Sequence, residues 1–343
     1  MKKLLITSTD LMMVQFLLPH VRNLSTKWEI TLACSDVGGR LEEVRGALPG
    51  IPVHKIRLRR SPFWPGNILG YRVLREIIKD FDVVWTNEPV MGAMTRLAAR
   101  NSGARVLYLC HGFHFFRGGP VANWLFYPAE AVLARWTDRI ATINREDFHR
   151  ASQMAPAAYL HGIGVGPKSG SGADVRRELG LGPDDRLALT VGELNRNKSP
   201  ETAIRAVALC ADPHLHLALC GRGNREKYLR KLAKRLKIEE NVHFLGYRRD
   251  MGDVYRAADL LVHPARREGL GLAVLEGALA GLPVIARDTR GIRDYARNLL
   301  RPGTPAQFAR AMQNPPEPVR LEELKPYLLE NVQKELENLL EGL

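Results

Sequence analysis

Short apolar runs alternate with helix-length stretches along nearly the whole chain, and this alternation constrains the fold more than any single motif. Lys3–Thr7, Glu29–Cys34, Val53–Leu58, Val83–Thr86, Arg105–Leu109 and Arg139–Ile143 read as strands with helical patterns between them. Parallel neighbours need crossovers, and the intervening helices supply them, so the pattern predicts a parallel, doubly wound sheet. Composition then shifts to glycine, serine and proline over Gly162–Gly172, as in a linker. A second alternating series follows: Arg186–Val191, His214–Cys220, Asn241–Leu245, Asp259–His263 and Pro283–Ala286. The expected fold class is therefore α/β, with two Rossmann-like doubly wound domains at residues 1–164 and 165–312. Residues 313–343 hold a Pro315-Pro316 lead-in and one amphipathic helix pattern, Leu321–Leu343. A length of 343 residues is enough for two separate cores.

The segment Arg267–Ala286 concentrates the chemistry. Glu268 and Glu276 stand eight positions apart. Glu268 lies in a glycine-flanked turn after an apolar strand. Glu276 lies inside an apolar helix, among Leu272, Leu275 and Leu279. A carboxylate there is costly to bury unless something hydrogen-bonds it. The N–H groups near Gly271 and Leu272 open that helix, directing unsatisfied donors and the positive dipole end at whatever sits above the strand. Glycines such as Gly269 and Gly271 let a ligand approach the backbone. The pattern describes two carboxylates for sugar hydroxyls and a helix N-terminus for phosphate. The plainer alternative is a helix cap with one paired core glutamate.

This segment resembles the glutamate–seven–glutamate motif of the family 4 retaining glycosyltransferases, which have the GT-B fold and use nucleotide-sugar donors. The spacing, the glycines and the following Ala280-Gly281-Leu282-Pro283-Val284-Ile285 all agree. The likeness runs from about Leu4 to Asp294 and is strongest at Asn87–Asn144 and Gly192–Ala286. It implies an acceptor-binding first domain, a nucleotide-sugar-binding second domain and an active site in the cleft between them. It also implies a last helix crossing back to the first domain. Under this resemblance Glu268 holds donor hydroxyls and Glu276 binds the nucleotide ribose. The turn Gly269, Leu270, Gly271 and Leu272 receives the diphosphate.

The same resemblance extends to other segments. In Gly192-Glu193-Leu194-Asn195-Arg196-Asn197-Lys198, Lys198 keeps the family's lysine position. Glu193 stands where the family has arginine, and Arg196 is the candidate substitute. A solvated turn, with Ser199 as N-cap and Pro200 at the first helical position, is the alternative. Gly221 would floor the nucleotide pocket, or serve only close packing. Gly246 and Tyr247 match the segment whose backbone meets the base. Cys110-His111-Gly112-Phe113-His114 resembles the exopolysaccharide branch of the family, and His111 matches its donor-contacting histidine. Glu88 is a candidate acceptor contact, and Asn144 reads as a helix cap. Ser8 and Asp10 occupy the loop where wider GT-B proteins carry a Gly-Gly turn. Near Tyr295-Ala296-Arg297 the chain looks shortened relative to the family.

Composition narrows the partners. Net charge is +13, which favours polyanions. With no recognition helix, zinc finger or aromatic RNA-binding signature in the sequence, nucleic acid is not the expected partner. Cys34, Cys110, Cys210 and Cys220 are scattered with no CxxC pair, which suits a reducing cytoplasm. No run reaches the roughly 18–20 apolar residues of a membrane span, and Met1–Ser8 reads as a first strand instead of a signal peptide. His111 and His114 have HxxH spacing without a third ligand, so no metal and no cofactor are expected. Lys55–Pro65 joins cations to Phe63 and Trp64. Its alternation places the cations on one strand face, either as a solvated edge or as a membrane-docking segment. The expected protein is a cytoplasmic glycosyltransferase, peripheral on the inner face of the membrane. It would move a sugar from a UDP-sugar to a lipid-linked or oligosaccharide acceptor in bacterial surface-polysaccharide synthesis. The rival readings are a sugar-nucleotide epimerase of the same fold and a non-catalytic basic binding protein.

Overall fold

The computed structural model describes all residues except Arg60, Pro62, Phe63, Arg117, Arg297, Asn298, Arg301 and Pro302, and the side chains of Leu299 and Leu300. Two compact units emerge: Met1–Gly164 with Leu329–Leu343, and Val165–Leu328.

The first unit is built on a seven-stranded parallel sheet. Its strands are β1 (Lys3–Thr9), β2 (Glu29–Ser35), β3 (Val53–Ile56), β4 (Val83–Asn87), β5 (Arg105–Cys110), β6 (Arg139–Thr142) and β7 (Ala157–Tyr159). The order is β3-β2-β1-β4-β5-β6-β7. β1 is buried at every position after Lys3, and β4 throughout. Continuous burial is what a parallel strand covered by helices on both faces requires, which is why these strands read as unbroken apolar runs. β3 stops at Ile56, although burial still alternates through Arg57, Leu58 and Arg59. The cations of Lys55–Arg59 therefore share one side of the chain without sharing one strand. β7 is short and carries no apolar run beyond Ala157-Ala158-Tyr159, so its sequence gave little strand signal.

The second unit has a six-stranded sheet: β8 (Arg186–Val191), β9 (Leu215–Cys220), β10 (Val242–Gly246), β11 (Leu260–His263), β12 (Val284–Arg287) and β13 (Leu299–Leu300). The order is β10-β9-β8-β11-β12-β13, all parallel. In both sheets the order reverses beside the first strand of the unit, between β1 and β4 and between β8 and β11. Ligands of doubly wound sheets sit beyond the carboxyl ends of strands at such a reversal.

The tail differs from one continuous helix. Leu321–Leu324 is a single turn, Lys325–Tyr327 tightens into a 3-10 turn, and Leu329–Glu341 is a separate helix. Pro326 explains the break, because proline lacks the N–H and its ring crowds the preceding turn. The piece before the break stays with the second unit, where the Tyr327 ring meets Tyr295 edge-on. The helix after it joins the first unit, and Gln333 donates to the Pro19 carbonyl at 3.0 Å. The division thus falls at Leu328 rather than at residue 312, because the chain from 313 to 328 belongs to the second compact unit.

Candidate active site

At the reversal point of the second sheet, two loops leave adjacent strands. Gly192–Ser199 follows β8 and Pro264–Gly271 follows β11. Asn197 stitches them together. Its carbonyl accepts the Arg266 N–H at 2.8 Å, and its side-chain amide donates to the Arg267 carbonyl at 3.0 Å. Asn195 caps the first loop from inside, its Oδ1 accepting the Lys198 N–H at 2.9 Å. These bonds fix the backbone at Lys198, whose Nζ lies 2.5 Å from Glu268 Oε1. His263, the last residue of β11 and 1% exposed, brings Nε2 to the same oxygen at 2.8 Å. Burial alone would push the Glu268 carboxyl up. The hydrogen bond and charge of His263, with the Lys198 ammonium, overcome this and hold it at about 2. Glu268 is therefore a carboxylate at neutral pH. Its Oε2 makes no hydrogen bond among the described residues.

Glu276 sits on the helix Leu272–Leu279 with a different set of contacts. Tyr255 donates to its Oε2 at 2.9 Å, and Lys168 Nζ lies 3.2 Å from its Oε1. Burial, then the neighbouring Glu276, pushes the Tyr255 phenol well above its usual value, so it remains a neutral donor. Both oxygens of Glu276 are engaged. The paired-glutamate alternative thus describes its contacts in this structure.

Gly271 occupies the N-cap of that helix with φ of 77°. A Cβ there would fall 2.6 Å from Ile292 and 3.2 Å from the Tyr295 hydroxyl. The glycine is thus demanded by a left-handed backbone and by protein packing on that side, not by open space for a ligand. The Tyr295 hydroxyl lies 2.9 Å from both the Leu270 and the Gly271 carbonyl oxygens, shares its one proton between them and so props the turn. The N–H groups of Leu272 and Ala273 make no hydrogen bond among the described residues, leaving the helix start free to receive an anion. Gly269 and Leu272 are partly exposed, and Leu270 is buried.

The remaining candidates spread around this centre. Arg196 and Glu193 are both exposed. Ser199 sits at the helix start with φ of 53° but makes no side-chain cap, because its hydroxyl turns to Thr202 at 3.1 Å. Gly221 packs backbone against backbone: a Cβ would meet the Gly192 carbonyl oxygen at 1.9 Å. Its N–H donates to the Gly246 carbonyl at 2.7 Å, so close packing dictates this glycine. Tyr247 is 68% exposed.

In the first unit the loops after β1 and β4 meet at the corresponding reversal. Glu88 has φ of 67°, an uncommon conformation for a non-glycine residue. Its Oε2 accepts the Thr9 N–H at 2.7 Å. Asp10 does not project from the amino-terminal loop; it is fully buried and accepts the N–H groups of Gly38 and Arg40. It serves the scaffold. His111 follows β5, and its Nε2 lies 3.1 Å from Asn87 Oδ1. Burial, then the nearby His20, lowers its pKa to about 4, so it is neutral at pH 7. His114 is exposed and meets the Phe126 ring instead, so the HxxH pair diverges. Among the described residues no three His, Cys, Asp or Glu side chains gather into a possible metal site. Asn144 caps the helix Arg145–Ala151 by accepting the Asp147 N–H at 2.8 Å.

Sequence reasoning missed His263, Asn195, Asn197, Tyr255 and Lys168. His263 alone left a signal: a histidine before proline, at the carboxyl end of an apolar strand, five residues ahead of the glutamate.

Comparison with known proteins decides the family. The family model for group 1 glycosyl transferases matches residues 173–313, and that for the glycosyl transferase 4-like domain matches residues 21–158. The Bacillus subtilis (strain 168) protein EpsD, described as a glycosyltransferase, is 38% identical over 281 residues, covering 75% of this chain and 74% of that one. The chain belongs to the family 4 glycosyltransferases. This glycosyltransferase is also 34% identical to the Escherichia coli (strain K12) lipopolysaccharide glucosyltransferase WaaG over 123 residues, 35% of this chain and 33% of that one. The crystal structure of Anabaena HepE in complex with UDP and glucose covers 100% of both chains with a TM-score of 0.81 at 16% identity. That likeness establishes the GT-B fold of the enzyme, with one doubly wound sheet in each unit.

Proposed function

We propose that the enzyme transfers a sugar from a UDP-sugar, with retention at the anomeric carbon, to a lipid-linked or glycan acceptor in surface-polysaccharide assembly. The observation that carries this reading is the Glu268 carboxylate, held through one oxygen by Lys198 and His263 and left without a partner on the other among the described residues. A carboxylate with one free oxygen is an acceptor for sugar hydroxyls, and one kept ionised holds that role across the neutral pH range. In this reading Lys198, Arg196 and the N–H groups at the start of the helix Leu272–Leu279 take the charge of the leaving diphosphate. Glu276 takes the ribose hydroxyls once Lys168 yields Oε1. Gly221, Gly246 and Tyr247 border the nucleotide, His111 contacts the donor and Glu88 the acceptor. With front-face departure the leaving phosphate receives the acceptor proton. Solved structures of Anabaena HepE, a relative in fold, are complexes with UDP and with UDP-glucose, which supports a uridine donor. EpsD supports the exopolysaccharide setting.

A peripheral place on an anionic membrane is part of the proposal. The helix Asn67–Ile77 exposes Ile68, Leu69 and Val73 beside Arg72 and Arg75. Nearby, the Arg57 and Arg59 guanidinium groups lie over the Trp64 ring. Arg60, Pro62 and Phe63 of the Lys55–Pro65 segment lie outside the described residues. Lys55 is paired with Asp36 at 2.7 Å, so Arg57 and Arg59 carry more of the attraction. Cations near such a surface contribute about 1 kcal/mol each, and exposed apolar side chains add to them. Among the described residues no helix is long and apolar enough to cross a membrane.

A screen of UDP-sugar hydrolysis and transfer with mass detection tests the reading, with product anomeric configuration read by NMR. Turnover of at least one UDP-sugar with retention is expected. Inversion, or turnover unchanged in both Glu268→Ala and Lys198→Ala, would contradict it. Co-sedimentation with vesicles containing phosphatidylglycerol, but not with neutral ones, is expected for the docking surface; equal failure with both removes it.

A further inference from the structure

His263 is a buried polar residue whose one hydrogen bond among the described residues goes to Glu268. Here Nδ1 is buried without a partner among the described residues, and Nε2 meets only Glu268. An ionised carboxylate can only accept, so Nε2 carries the proton. The ring is buried at the end of β11, where the strand holds its backbone.

Lys198 reaches the same Glu268 oxygen from a flexible stem that is 26% exposed. In the function proposed above, that ammonium turns to the diphosphate when donor binds. A lysine neutralising a diphosphate cannot at the same time be the sole anchor of a carboxylate beside it. Something rigid must hold Oε1 so that Oε2 stays aimed outward.

We propose that His263 is the positioning residue that keeps the Glu268 carboxylate directed at the donor sugar after Lys198 has been taken up by the diphosphate. The proposal rests on the reading of Glu268 as the sugar-hydroxyl acceptor. It assigns a role to a residue that contacts no substrate and acts through the acid.

The test uses the full chain and the UDP-sugar it hydrolyses fastest, with UDP alone as a binding probe. His263→Phe keeps the bulk and removes the donor, and His263→Gln restores an N–H. His263→Phe is expected to lower kcat/KM by about 10- to 100-fold, the range expected for losing one oriented hydrogen bond in the transition state. UDP affinity should stay within about twofold, since UDP lacks the sugar. His263→Gln should recover most of the loss. The double variant with Glu268→Ala should be no slower than Glu268→Ala alone, because both changes act on one unit. If Glu268→Ala is crippled while His263→Phe retains full kcat/KM, the proposal is overturned. Losses that multiply in the double variant overturn it too. If Glu268→Ala itself keeps full turnover, the reading of Glu268 fails first, which is a distinct outcome. Should His263→Phe not fold, His263→Asn, whose shorter amide cannot reach Oε1, carries the same comparisons.

Discussion

Glu268 and Glu276 stand eight residues apart in one strand–turn–helix segment, yet the structure treats them differently. Glu268 is pinned through one oxygen by Lys198 and His263, and its other oxygen makes no hydrogen bond among the described residues. Glu276 has both oxygens engaged, one by a buried tyrosine and one by a lysine that is 38% exposed. In the function proposed above, the difference lets one motif serve two tasks. The first acid is held ready before ligand arrives. The second is held closed by Lys168, a partner that can leave for solvent at small cost, since half-exposed ion pairs contribute on the order of 0–1 kcal/mol.

The comparison breaks most readily at Glu268. Glu268→Ala should reduce kcat/KM by about 100- to 1000-fold, the scale of one preorganised transition-state contact. Steady-state kinetics with the best UDP-sugar measures this. Lys198→Ala should cost nearly as much in turnover, and it should also weaken UDP by about tenfold, because the lysine is assigned to the diphosphate. Kinetics paired with calorimetry separates the two effects.

A smaller effect is expected in acid. The folded protein holds Glu268 below its ordinary 4.5, at about 2. Stability from this group is therefore complete above about pH 4.5 and is lost as pH falls from there toward 2. Melting temperatures across that window should fall more steeply for the parent chain than for Glu268→Gln, and parallel curves would contradict the pairing. Lys168→Ala should give the smallest change, a UDP affinity about two- to fivefold tighter, because Glu276 Oε1 would no longer need to be released. An affinity that weakens instead would make Lys168 a nucleotide contact.

What was legible in the chain follows the range of the interactions. Period and composition are local, so β1, β8 and β11 and the break near Gly164 could be read directly. The placement of Glu276 on a helix and of Glu268 in the turn before it also follows from local pattern. Partners could not be read, because Lys198, Lys168 and Tyr255 reach these acids only through the fold. Asn195 and Asn197 look like ordinary turn residues until the two loops are seen side by side. Gly271 and Gly221 were legible as glycines needing room, but the sequence cannot say whether a ligand or the protein fills it. Pro326 did announce the break in the tail, and the amphipathic pattern on either side masked it.

The central claim is that the first acid serves the sugar and the second serves the nucleotide. Calorimetric titration of UDP into Glu268→Ala and Glu276→Ala tests it most directly. The account predicts UDP affinity within about twofold of the parent for Glu268→Ala and about tenfold or more weaker for Glu276→Ala, the loss of hydrogen bonds to a charged acceptor. Equal weakening in both variants, or none in Glu276→Ala, would contradict it.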